Sequence, residues 1–331
     1  LLRRRAEPTP EKATAGVEAP SATDSSPTDL DPLTVPGFEG RPAIAVLPFD
    51  NLSGDPDQEY FADGIAEDLI TRLSAWRHFP VFARNSSFTY QGKPVDVKQV
   101  SRELGARYVV EGSVRKAGDR VRITAQLIDA TGGAHVWAEQ FDRELRDILA
   151  LQDEITAAIV GSMYPELGRR ERERVVRLDP HSLDAWECVL RGWWHTNRSE
   201  LSREDNLAGR RFFERAIELN PHSSEAYASL ALTHYSDLQH HWATDPAEST
   251  ALFHRMARQA VVLDPQSAQA QNALAFAHGQ AGRQDEMLRT LERATEVDPS
   301  SPMAHGGLGM ALALGGRANE GISYLEKAIR L

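Results

Sequence analysis

At 331 residues the chain has room for two or three domains, and 41% hydrophobic with 26% charged residues is the balance of a globular protein. A formal charge of −11 opposes a general nucleic-acid-binding surface or an anionic-membrane surface. The single cysteine, Cys188, excludes an internal disulfide, and no run of about 20 apolar residues is present to span a bilayer.

The chain opens Leu1-Leu2-Arg3-Arg4-Arg5 without a methionine, which reads as the tail of an upstream domain or of a membrane helix with its basic flank. Residues 6–40 are rich in Pro, Ala, Thr, Ser and acidic side chains, so residues 1–41 are expected to form a disordered linker. From Ala43 to Leu47 the run is apolar without alternation, as in a strand covered on both faces. Asp55-Pro56-Asp57-Gln58 has the pattern of a capped helix start, and Phe61, Ile65, Leu69, Leu73 and Trp76 then form one stripe.

Val81-Phe82-Ala83 is predicted to be a second short strand, and Val97, Val100 and Leu104 mark a helix stopped at Gly105. Three strands follow. Tyr108, Val110, Gly112 and Val114 alternate, as do Val121, Ile123, Ala125 and Leu127, while His135, Trp137 and Phe141 are expected on one face of the last. A long helix carrying Ile148, Leu151, Ile155, Ile159 and Met163 leads onward. The order points to an α/β fold, a mixed sheet with packed helices, over 42–165.

Here the chain resembles a known family. Ile44-Ala45-Val46-Leu47-Pro48-Phe49, Ala83-Arg84-Asn85-Ser86-Ser87-Phe88 and Tyr108-Val109-Val110-Glu111-Gly112-Ser113-Val114-Arg115 are similar to the TolB amino-terminal-like domain of bacterial signalling proteins. Arg122-Ile123-Thr124-Ala125-Gln126-Leu127-Ile128-Asp129 and Leu151-Gln152-Asp153-Glu154-Ile155 carry the same resemblance.

Beyond 165 four helix-like runs close on Asx-Pro: Asp179-Pro180, Asn220-Pro221, Asp264-Pro265 and Asp298-Pro299. Pro265 to Pro299 is a spacing of 34 residues, and the earlier spacings are 41 and 44, which places insertions around 197–205 and 239–248. Leu274, Ala275, His278, Gly282, Leu291 and Ala294 recur in phase as Leu308, Gly309, Leu312, Gly316, Leu325 and Ala328. Small positions let helices approach and large ones fill the groove between them. The period and pattern resemble the tetratricopeptide repeat, so 166–331 is expected to be an all-α repeat superhelix of about four units, the last incomplete.

The repeat resemblance implies a protein or peptide partner on the concave face. The inward positions would be Asp184, Glu187, Arg191 and Trp194 in the first unit, Glu225, Leu232 and Tyr235 in the second, and Gln269, Asn272 and Phe276 in the third. The two resemblances together imply a non-catalytic regulatory and protein-interaction segment of a bacterial signalling protein. In such families the domain pair commonly follows a class III adenylate/guanylate cyclase domain. In others it follows a winged-helix DNA-binding domain, which makes the sensory half of a transcription regulator the alternative; an envelope-assembly scaffold is a third. The upstream effector domain is then a second partner, with no direct nucleic-acid contact. The expected compartment is the cytoplasm, or the periplasm if a membrane helix precedes Leu1.

Catalytic chemistry is not expected. The sequence holds no phosphate-binding Gly-x-x-x-x-Gly-Lys loop, no dinucleotide Gly-x-Gly-x-x-Gly and no Gly-x-Ser-x-Gly elbow. No cofactor is expected, and His234, His240, His241 and His254 lack a metal-ligand spacing and read as surface residues of an inserted loop. Arg84, Asn85, Ser86 and Ser87 follow a strand, where α/β sheets often bind an anion or ligand; the plainer reading is that Asn and Ser cap a short helix. Arg115, Lys116, Arg120 and Arg122 read as a solvated sheet edge, and Cys188 as a packed residue.

Overall fold

The structure, a computed structural model, describes residues 40–75, 79–144, 147–198, 200–299 and 301–330. All but the last two residues of the expected linker, and Trp76, lie outside the described residues. The first half is a mixed sheet flanked by helices, and the second half is a succession of paired helices.

The sheet runs β1 (Ala43–Val46), β3 (Ala106–Ala117), β4 (Arg120–Asp129), β5 (Ala134–Glu144), with β2 (Asp50–Asn51) also paired to β3. β1 and β2 are parallel to β3, and β3, β4 and β5 are antiparallel. Pro48 has no N–H to donate, which interrupts the β1 line; pairing resumes where Leu52 donates to the Val114 carbonyl at 2.7 Å. Ile44 and Val46 enter the large core on one face, and Ala45 and Leu47 a smaller core on the other. β1 is therefore covered on both faces.

α1 (Glu59–Ala75) lays Phe61, Ile65, Leu69 and Leu73 on the first face. Its start differs from the expected capping box. Residues 56–58 form a 3-10 turn, and the Gln58 amide donates to the Asp55 carboxylate at 3.3 Å. The expected strand at 81–83 reduces to one parallel bridge, Val81 to Ile44, because α2 (Arg84–Ser87) begins at once. α3 (Val97–Leu104) covers the second face and ends at Gly105, whose φ of +75° closes the helix.

In β5 a register shift opposite Leu127 and Ile128 sets Val136 and Trp137 both against the core. His135 is left exposed, so His135, Trp137 and Phe141 do not share one face.

α4 (Ile148–Val176) joins the two halves. Residue 165, the expected domain boundary, falls inside it. Leu151, Ile155, Ile159 and Met163 pack on the sheet, and Leu167 and Val175 continue the same core toward the repeats. Its far end is fixed by ions. The buried Glu171 carboxylate accepts from the Tyr108 hydroxyl, pairs with Arg107 Nε at 3.3 Å and meets Arg174 Nε at 2.8 Å.

The repeat pairs are α5 (Ala185–Thr196) with α6 (Arg203–Leu219), α7 (Ser224–Gln239) with α8 (Pro246–Leu263), α9 (Ala268–Gln280) with α10 (Gln284–Val297), and α11 (Pro302–Leu314) with α12 (Ala318–Arg330). The joints between pairs share one device. The residue before proline is extended, its carbonyl accepts from the N–H three residues on, and Ser223, Ser267 or Ser301 then caps the next helix. The extra residues of the first two units divide between six-residue loops and the longer helices α6, α7 and α8.

Candidate partner-binding groove

The first helices of successive pairs, together with α4, wall a groove of about 1200 Å³. Its aromatic end is built by Phe79, Tyr164 and Trp186, with Phe79 edge-on to both rings at centroid distances of 6.0 and 5.9 Å. Along its floor Trp193 Nε1 donates to Ser229 Oγ at 2.8 Å, and Gln269 Nε2 donates to the same oxygen at 3.0 Å. α5, α7 and α9 are thus linked by one polar line across the groove. At the rim Arg41 Nη2 meets Glu225 at 2.7 Å.

The electrostatics are mixed. Burial, then the carboxylates of Asp298 and Glu225, push the Tyr164 hydroxyl well above the ordinary tyrosine range. Burial lowers Arg172 from its usual value.

Of the ten expected inward residues, Glu225, Leu232, Tyr235 and Gln269 line this groove. Phe276 stacks on Tyr235 at 5.4 Å and belongs to the packing between α7 and α9. Asn272 is buried, donates to the Met303 carbonyl at 3.3 Å and joins α9 to α11.

Of the four expected in the first unit, three are engaged elsewhere. Asp184 caps α5 in a capping box with Glu187, which also accepts from Arg174 at 2.8 Å. Arg191 donates to the Val175 carbonyl at 2.8 Å, and Trp194 stands 39% exposed outside the groove lining. α4 takes this side of α5 and so turns Trp186, Leu190, Trp193 and Asn197 to the groove instead. From the charged end of α4, Arg174 supplies the contact to Glu187.

The other singled-out residues separate. Arg84 pairs with Glu67 at 3.2 Å and lies over the Phe88 ring, Asn85 is exposed and Ser87 is buried, so these side chains enter different surroundings. Ala83, not Asn or Ser, holds the cap position of α2. Among the described residues no group of three or more His, Cys, Asp or Glu is placed to hold a metal. His234 is buried in α7 rather than on a loop, and His240 stacks on Trp242. Arg122 pairs with Asp142 at 2.7 Å, and Cys188 is buried with its thiol pushed up to about 11. Among the described residues no helix is long and apolar enough to cross a membrane.

Comparison with known proteins bears on both halves. Residues 268–301, which span α9 and α10, match the tetratricopeptide repeat family. Residues 40–158 match the family described as HilA/YgeH-like transcriptional regulator, second domain, where the sequence had resembled a TolB-like domain. A curated relative from Rhizobium meliloti (strain 1021), named "Putative adenylate cyclase 3", is 40% identical over 251 residues, 76% of this chain and 42% of that protein. The chain spans less than half the length of that relative. Solved structures with some likeness include a thermophilic TPR protein of Thermus thermophilus (TM-score 0.41, 15% identity, 51% of this chain and 87% of that one). MamA is another (TM-score 0.31, 18% identity, 48% and 84%).

Proposed function

We propose that the chain is the regulatory, protein-binding portion of a larger bacterial signalling protein, joined to a class III adenylate cyclase domain. The α/β half, which we read as TolB-like, faces that effector, and the repeats receive a protein or peptide in the groove. The observation that carries the binding role is the line Trp193–Ser229–Gln269 across three helices beside the apolar side chains of Trp186, Leu190 and Leu232. Such a surface offers aromatic anchors whose orientation is held by side-chain hydrogen bonds. The similarity to the Rhizobium meliloti protein supports the cyclase setting.

A second reading, the sensory half of a transcription regulator, draws on the match of residues 40–158 to a regulator's second domain. It stands behind the first because the cyclase relative aligns with 76% of the chain.

The test uses the full-length protein. Leu232→Arg places a charge in the groove wall and is expected to abolish partner-dependent change in cyclic-nucleotide synthesis while basal synthesis is retained. An unchanged partner response would remove the groove from the function. Absence of any cyclic-nucleotide synthesis by the full-length protein, with sequence-specific DNA binding instead, would replace the first reading by the second.

A further inference from the structure

The described chain begins at the rim of the groove. Gly40, at φ +77°, lies so close to the N-cap of α5 that a Cβ there would fall 2.1 Å from the Asp184 carboxylate. Arg41 follows and pairs with Glu225 of α7, the two side chains only 19% and 14% exposed. Two successive residues therefore pin the entering chain to α5 and α7, the helices that carry Trp193 and Ser229.

The eight residues before Gly40 are Pro32-Leu33-Thr34-Val35-Pro36-Gly37-Phe38-Glu39. Leu33, Val35 and Phe38 are large and apolar, whereas residues 6–31 contain only Val17 and Leu30 of that kind. Pro32 and Pro36 each have a fixed φ, which lowers the chain entropy that docking would cost. An extended chain of this length reaches roughly 26–29 Å at about 3.3–3.6 Å per residue. Three neighbouring helices at about 8–10 Å spacing require roughly 20 Å. The segment is long enough to cross α5, α7 and α9.

We propose that residues 32–39 are an intramolecular ligand of the groove, laying Leu33, Val35 and Phe38 against the wall formed by Trp186, Leu190, Trp193 and Leu232. The inference rests on the reading that the groove takes extended peptide, and adds that an external partner must displace this segment.

The experiment uses the full chain carrying photoreactive p-benzoylphenylalanine in place of Phe38, irradiated at nanomolar concentration, with adducts mapped by mass spectrometry. Intramolecular adducts on peptides holding Trp193, Ser229 or Leu232 are expected. Adducts elsewhere on the chain, or only between two chains, overturn the proposal. Hydroxyl-radical oxidation of Trp193 gives an independent reading. In the triple variant Leu33→Asp, Val35→Asp, Phe38→Asp it is expected to rise about tenfold if nine molecules in ten are occupied. Unchanged oxidation overturns the proposal. The outcomes separate from those of the groove itself: loss of partner response in Leu232→Arg with adducts elsewhere keeps the binding role and removes the internal ligand, and the converse removes the binding role alone.

Discussion

At the residue scale the decisive groups are charges and rings taken out of water. Glu171 is fully buried between Tyr108, Arg107 and Arg174, and it ties the end of α4 to the sheet. Removing one member of a buried ionic set leaves the others uncompensated, so Glu171→Ala is expected to cost about 2–4 kcal/mol, the partial exposure of both arginines lowering the cost. Urea denaturation checks this, and a loss below about 0.5 kcal/mol would show the network to be incidental. His234 gives a pH test. Burial, then the charge of Arg210, lowers it to about 4, with Asp237 opposing and Arg255 adding. Its folded pKa is below the unfolded value of about 6.5, so the unfolded chain binds the extra proton between those values. Stability is then full above pH 6.5 and falls as pH drops toward 4, by about 3 kcal/mol from this group. The slope is expected to flatten in His234→Leu; equal slopes in both proteins would contradict the burial argument. Neither residue was legible as such. Glu171 looks like one more charge on a solvated helix face, and only the sheet packed above it makes it interior.

At the element scale, helix spacing within the first repeat is set by glycine. A Cβ on Gly192 would lie 2.3 Å from the Phe213 ring, and one on Gly209 would lie 3.0 Å from the Gly192 carbonyl. Gly192→Ala gains about 1 kcal/mol of helix propensity but must push α5 and α6 apart, and a net loss of about 1–2 kcal/mol is expected. Gly161→Ala in α4 meets nothing within 4 Å and is expected to stabilise by up to about 1 kcal/mol. Thermal melting of the pair should move in opposite directions, and shifts of the same sign would defeat the packing account. The elements themselves were largely readable: the two-sided strand β1, the stripe of α1, the Gly105 stop and the Asx-Pro joints each depend on neighbours in sequence. The strand at 81–83 and the face of β5 were not, because a single bridge and a register shift are settled by the partner strand.

For the molecule as a whole, one core runs from Ile44 through α4 to Leu230, while the later pairs pack in smaller separate clusters. Stacked repeats hold mainly their nearest neighbours, so stability should fall along the stack. The final pair exposes Met310, Leu314, Ile322 and Ile329. Hydrogen exchange is expected to be fastest in α11 and α12, with α4 and α5 protected as strongly as β3 and β4. Exchange of α5 together with α9–α12, ahead of the sheet, would show that the halves open independently. The groove belongs to this scale too, since no single element contains it.

The sequence alone determined several element limits, the Gly105 stop and the Asx-Pro joints among them, that the second half repeats, and that small and large positions alternate in phase. These follow from local capping, backbone limits and periodicity, which need no distant partner. Tertiary structure decided which side of α5 faces the groove. Asp184, Glu187, Arg191 and Trp194 fit the inward pattern by spacing, yet α4 engages Glu187 and Arg191 and leaves Trp186, Leu190 and Trp193 as the wall. Rotation about a helix axis is fixed by what packs against it, and here that neighbour is a 29-residue helix from outside the repeat.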